Sequence, residues 1–315
     1  MRIMLATCVI LLPAISLPAE EGTSTKTTRR GSTTIIETSH LLCEIRPDVH
    51  KRGVVRCRYK PTGYEVVPDI PKHALLMPEW LLKPGTSRQG IFWAPLRAQP
   101  HVTAEKGSVV FSVSAKQTKH WNMDVSFRYT PKRDWIDFEC RMLPHVAVKD
   151  FEFFIASYVI NDMESTWVSA VGPTGDEVFT KLNNRSVPQG TTYAIVRDAK
   201  AKTYLSDGRW PLKGKLTGKE LCQPFYFKRP ILIAMKESTG LAVVTMVDPK
   251  FCSLLAGQNH ELETAHDFTF SDNLMPGKPI VCRARVVIRP IGNFPNAKER
   301  IDEMWKEFVE SLPLG

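Results

Sequence analysis

The chain has 315 residues, a formal net charge of +9, and 43% hydrophobic against 24% charged side chains. That balance excludes a disordered polyelectrolyte and leaves enough apolar material for a large core. Seven widely spread cysteines exclude a disulfide-framework miniprotein, and no Cys-x-x-Cys or Cys/His spacing suits structural zinc.

The first residues read as an export signal: Met1 and Arg2, an apolar run over residues 3–12, then Pro13, Ala14 and small residues up to Ala19. Such a segment is too short to span a bilayer, and no later stretch is apolar for long enough, so a secreted or periplasmic chain without a membrane span is expected. Removal of residues 1–19 leaves six cysteines: Cys43, Cys57, Cys140, Cys222, Cys252 and Cys282. Residues 20–34 are rich in Thr, Ser, Gly and Arg with no apolar period, which predicts a flexible leader, with a single domain over 35–315.

Strand candidates follow over residues 41–45 and 54–59, with Arg46, Lys51, Arg52, Arg56, Arg58 and Lys60 crowded around them. These charges suit either a solvated edge that blocks aggregation or a binding patch. Cys43 and Cys57 could bridge two neighbouring strands, whereas Cys140 and Cys282 occupy core-facing positions as plain thiols. Residues 61–106 are rich in Pro and turn residues, so loops holding Trp80, Phe92 and Trp93 are expected.

The clearest β pattern begins at Val109. Val109, Phe111 and Val113 share a face, as do Val125, Phe127 and Tyr129, and then Ile136, Phe138, Cys140 and Met142. Residues 151–160 are apolar throughout, as in a strand covered on both sides. Residues 161–221 have weak periodicity and many turn signals, which predicts long insertions at one end of a sandwich. Between 230 and 288 a strand, a turn at Glu237-Ser238-Thr239-Gly240, a strand, a polar interval and a last strand pair around Met275-Pro276-Gly277-Lys278 spell antiparallel sheet. One terminal helix is expected, capped by Asn296, with Ile301, Met304, Trp305, Phe308, Val309 and Leu312 on its apolar face.

These elements predict an all-β, antiparallel β-sandwich with one C-terminal helix. The segments SFRYTPKRDWIDFEC (126–140), FIASYV (154–159), VRDAKAKTYLSDGRW (196–210), PILIAMKESTGLAVVTMVDPKFC (230–252) and FSDNLMPGKPIVCRARVVI (270–288) resemble exported bacterial proteins of the galactose mutarotase-like β-supersandwich group. That resemblance implies the supersandwich fold and a carbohydrate ligand; it carries no catalytic residue over to this chain.

No Gly-rich dinucleotide loop, Walker loop, G-x-S-x-G or H-E-x-x-H is present, so nothing calls for a nucleotide, metal or other cofactor. Three clusters of side chains suit carbohydrate chemistry. His260 and Glu261, near Glu263, His266, Asp267 and Asp272, offer an acid and a base for proton transfer at a sugar carbon. The alternatives are a solvated loop or, were the stretch a strand, a core position for His266. Asp207, Arg209 and Trp210 offer a carboxylate clamp and a stacking platform, or else a turn with a tucked Trp. His120 and Arg128, with Trp135, Asp137, Glu139 and Arg141 on one polar strand face, suit a glycan groove or plain cross-strand ion pairs.

The reading is an exported protein that binds or acts on an oligo- or polysaccharide, acidic ones favoured by the basic balance, with lyase or epimerase chemistry if catalytic. The alternative is a non-catalytic glycan-binding or structural protein of the cell envelope. Nucleic acid is not expected, since no recognition motif is present.

Overall fold

The computed structural model describes residues 25–47, 52–67, 73–85, 89–90, 99–118, 121–160, 162–182, 192–210, 221–259 and 263–313. The segment read as an export signal lies outside them. The chain begins with a five-stranded sheet of β1 (Lys26–Arg30), β2 (Thr33–Glu37), β3 (Leu41–Pro47), β4 (Arg52–Tyr59) and β5 (Tyr64–Glu65), in that order. The expected leader thus already contains β1 and the start of β2. β1 pairs with β2 in antiparallel register and keeps its Lys and Arg side chains largely in water, which is why no apolar period announces it.

The chain continues with β6 (Met77–Leu82), β7 (Gln89–Gly90), β8 (His101–Glu105), β9 (Ser108–Val113), α1 (Ala115–Thr118), β10 (Met123–Pro131) and β11 (Trp135–Pro144). Next come β12 (Val148–Ala156), β13 (Tyr158–Ile160), β14 (Ser165–Val171), β15 (Glu177–Leu182), β16 (Thr192–Val196), α2 (Ala199–Tyr204) and β17 (Leu221–Cys222). The last elements are β18 (Phe227–Lys236), β19 (Leu241–Val247), β20 (Cys252–Asn259), β21 (Glu263–Leu274), β22 (Ile280–Pro290) and α3 (Ala297–Glu310).

A nine-stranded sheet runs β15-β14-β18-β19-β22-β11-β10-β9-β8, and an eight-stranded sheet runs β17-β16-β20-β21-β12-β6-β7 with β13 beside β21. Among the described residues every pairing is antiparallel except the two-residue contact of β16 with β17. The predicted alternations hold: Val109, Phe111, Val125, Phe127, Tyr129, Ile136, Phe138 and Cys140 are buried between the sheets. The rings of Phe127 on β10 and Phe153 on β12 meet across that layer at 5.6 Å.

The turn between β18 and β19 closes on Gly240, whose φ of +66° suits a residue without a side chain. A Cβ there would stand 3.0 Å from the Cα of Gly292, so glycine also permits the close approach of the two backbones. The stretch read as a polar interval is instead the end of β20 and the start of β21. Between 161 and 221, where long insertions were expected, the described residues include β14, β15, β16 and α2. α3 buries Ala297, Ile301, Met304 and Phe308 against β18, β19 and β22, as its stripe predicts, while Val309 remains 39% exposed. Asn296 precedes it without a side-chain cap, because its backbone is already helical (φ −63°, ψ −22°) and cannot turn its amide back onto the first N–H groups.

Candidate functional site

The alternation that sends Val125, Phe127 and Tyr129 inward sends Asp124, Ser126, Arg128 and Thr130 out of the nine-stranded sheet. β11 adds Trp135, Asp137, Glu139 and Arg141 to this outer face, and β22 adds Arg283 and Arg285. Register places Asp137 opposite Arg285 and Glu139 opposite Arg283. Cross-strand ion pairs follow, Arg285 Nε to Asp137 at 2.6 Å and Arg283 Nη2 to Glu139 at 2.7 Å. Arg128 pairs with Glu105 of β8, and the Arg285 guanidinium lies 5.0 Å from the centre of the Trp135 ring. Arg141 interrupts the series. It stands opposite Ser126 and Val281, is exposed, and has no carboxylate partner among the described residues.

Two depressions lie along these strands. One of about 200 Å³ is bounded by Arg128, Lys132, Asp137, Glu139, Arg283 and Arg285, with Phe308 and Ser311 of the α3 end closing one side. The other, of about 400 Å³, is lined by His101, Ser112, Gln117, Asp124, Ser126 and Arg141. His145 adjoins it, with Nε2 2.9 Å from Asp124 Oδ2. The hydrogen bond to His145 holds the Asp124 carboxyl below its ordinary range.

The eight-stranded sheet has a different outer face. β12 turns Glu152, Phe154 and Ala156 outward, β6 contributes Trp80 and Leu82, and the chain beyond α2, with Leu205, Arg209 and Trp210, lies over them. Glu152 Oε1 accepts from Ser253 Oγ at 2.5 Å and Thr269 Oγ1 at 3.2 Å, while Oε2 faces Arg209 Nη1 at 3.0 Å. That last approach is close but not aligned as a hydrogen bond. Asp207 grips Arg209 through Nε at 3.0 Å and Nη2 at 2.7 Å, and the Tyr204 ring lies 3.9 Å from the guanidinium carbon. Burial pushes the Glu152 carboxyl up despite Arg209. Burial pulls the Arg209 guanidinium down, and Asp207 and Glu152 together more than restore it.

Further along this face, Asp267 accepts from the Ser157 N–H at 3.3 Å and Glu79 from Tyr158 Oη at 3.3 Å. Burial first, then the Glu79 charge, hold the Asp267 carboxyl well above its usual range. Trp210 is buried edge-on to Phe154 at 5.5 Å, and Phe154 stacks on Trp80 at 4.9 Å.

Of the residues singled out in the sequence, His120, His260 and Glu261 lie outside the described residues. Asp207, Arg209 and Trp210 come together on the eight-stranded sheet, where Trp210 packs as the tucked Trp of the alternative reading. Arg128 lies on the outer face of the nine-stranded sheet, with the Phe127–Phe153 layer between it and Arg209. One small ligand therefore cannot touch both. Glu263, the first described residue after His260, stands eight residues along β21 from Ser271, the register partner of Glu152. At strand rise that is roughly 26 Å. His266 faces between the sheets, its Nε2 3.2 Å from Thr166 Oγ1, and burial lowers it to about 4.

The sequence reading passed over Glu152, Glu79 and the His145–Asp124 pair. A lone carboxylate inside the apolar run FEFFIA was a usable signal for Glu152, since a buried acid needs a partner. Nothing local pointed to His145, which meets Asp124 only through the antiparallel pairing of β10 with β11. Among the described residues no group of three or more His, Cys, Asp or Glu side chains is disposed to hold a metal ion, and no helix is long and apolar enough to cross a membrane.

No family model and no curated protein matches the chain. Among solved structures, a galactose mutarotase-like protein from Lactobacillus casei resembles it with a TM-score of 0.49 and 8% identity over 84% of this chain and 100% of that one. A galactose mutarotase-like protein from Clostridium acetobutylicum gives 0.46 and 12% over 85% and 99%. A heparan sulfate lyase from Pedobacter heparinus gives 0.44 and 6% over 85% and 37%.

Proposed function

We propose that the chain binds an acidic oligo- or polysaccharide along the outer face of its nine-stranded sheet. The observation that carries this reading is Arg141: a cation with no carboxylate partner among the described residues, lining a depression of about 400 Å³ that also presents Ser112, Ser126 and Gln117. A ligand carboxylate or sulfate supplies the missing counter-charge, and the hydroxyl and amide side chains match sugar hydroxyls. The neighbouring ion pairs hold Arg128, Arg283 and Glu139 in fixed positions at strand spacing, so little order is lost on binding. The leader-like first residues support a place of action outside the cytoplasm.

The test is calorimetry and glycan-column retention with polyuronates, sulfated glycans and neutral glucans, at low and high salt. Acidic chains should be retained in a salt-sensitive way and neutral ones should not. No retention of any acidic glycan, or equal retention by Arg141→Ala, overturns the reading.

The His145–Asp124 pair supports a second reading, in which the site moves a proton on the bound sugar. His145→Ala should then abolish formation of unsaturated uronate, or epimerisation, while retention on the glycan persists. If the unaltered chain shows neither reaction, binding without chemistry stands alone.

A further inference from the structure

Six cysteines lie among the described residues, and two pairs of them stand directly opposite across antiparallel strands: Cys43 with Cys57 on β3 and β4, and Cys140 with Cys282 on β11 and β22. The first pair has its sulfurs 3.8 Å apart, in contact, with both side chains shut off from water. Residues opposite in an antiparallel pair have Cα atoms about 4.5–5.5 Å apart, inside the window a disulfide accepts, and closure then needs mainly small rotations about the two Cα–Cβ bonds, which swing the sulfurs together. We infer that Cys43 and Cys57 form a cross-strand disulfide when the chain folds in an oxidising compartment, and that the other four cysteines stay as thiols.

The step is thiol–disulfide exchange with a second disulfide, either of a protein oxidant or of a small molecule such as oxidised glutathione. One cysteine thiolate displaces a thiol from the oxidant to give a mixed disulfide, and the other displaces the second thiol. Two S–H bonds are lost and one S–S bond forms; the two electrons and two protons end on the oxidant, which leaves as two thiols.

Burial sets when this happens. In the closed fold the hydrogen bond to Cys43 and burial hold the Cys57 thiol well above its ordinary range, and no oxidant reaches either sulfur. The bond therefore forms as the β3–β4 hairpin closes, before the sheet packs on the core. Its place in the hairpin gives it a use. A register shift lies between Glu44 and Ile45, immediately beyond Cys43, where a slip would turn Cys43 and Ile45 out of the core. A covalent link at Cys43 pins the pairing at that point.

The experiment refolds the full chain from the reduced, unfolded state in a mixture of oxidised and reduced glutathione. Free thiols are then alkylated in denaturant and the protein is digested for mass spectrometry. The expected map links the peptides of Cys43 and Cys57 and finds Cys140, Cys222, Cys252 and Cys282 alkylated, as well as Cys8 wherever residues 1–19 are retained. Added reductant should lower the thermal midpoint by roughly 5–10 °C, and the double variant Cys43→Ala/Cys57→Ala should fold with a midpoint that no longer responds. Alkylated Cys43 and Cys57, a Cys140–Cys282 link in their place, or a reductant shift that survives in the double variant each overturns the inference. Should refolding give only aggregate, the same map of chain recovered from an oxidising secretory host decides between the same outcomes.

Discussion

Arg209 places Nη1 3.0 Å from Oε2 of Glu152, and neither side chain reaches water. The contact ties the segment after α2 to β12, elements some fifty residues apart in the chain, and it does so with a carboxyl that burial pushes above its ordinary range. An ion pair in that setting is held as much by the cost of separating it as by its own attraction.

Removing one partner should therefore be costly. Arg209→Met leaves Glu152 buried without its cation and is expected to lower stability by about 3–5 kcal/mol in urea unfolding. Adding Glu152→Gln should recover much of that loss, because the neutral amide keeps its bonds to Ser253 and Thr269. If the double variant is no more stable than Arg209→Met alone, the two side chains do not act as a pair.

Stability should fall toward acid because of His266. Its folded value of about 4 lies below the ordinary 6.5, so as pH falls through that window the unfolded chain takes up a proton that the folded chain refuses. The loss amounts to about 3 kcal/mol between pH 6.5 and 4. Asp267 acts with the opposite sign. Its folded value is raised, so its contribution is present below the ordinary carboxylate range and is lost as pH rises above it. Chemical denaturation across pH should show His266→Gln flattening the acid side and Asp267→Asn the neutral side; unchanged curves for both would contradict these assignments.

Arg141→Ala should weaken binding to an acidic glycan by roughly 10- to 100-fold, the value of one charge-assisted hydrogen bond. Its thermal midpoint should stay where it is, because Arg141 is exposed and has no carboxylate partner among the described residues. A lost midpoint together with lost binding would mean that Arg141 serves the fold instead.

Gly53 tests the junction of the first sheet with the rest. Its φ is +104°, and a Cβ there would lie 2.7 Å from the carbonyl oxygen of Leu75, which also bonds to the Val54 N–H. Gly53→Ala should cost about 2–4 kcal/mol, read from the urea midpoint. Gly63→Ala, at a positive φ in open space, should cost less.

Much of the sheet structure was legible from alternation. The inward faces of β9, β10 and β11 and the stripe of α3 follow from side-chain period, because a strand or helix half in water must segregate its residues. β1 escaped because its pairing uses backbone groups that every residue carries. Asn296 misled because capping depends on backbone angles as well as on residue type. His266 could be read either way until β21 was seen to be a strand.

The sequence by itself determined the class of fold, the faces of the long strands and the supply of Arg, Trp and carboxylate side chains, since these depend on neighbours a few residues apart. Only the tertiary structure decided that Arg128 and Arg209 serve opposite faces, that Glu152 is buried against a cation and that Arg141 has no carboxylate partner among the described residues. Those facts arise from strand order and register, which bring together residues whose separation along the chain carries no trace of their meeting.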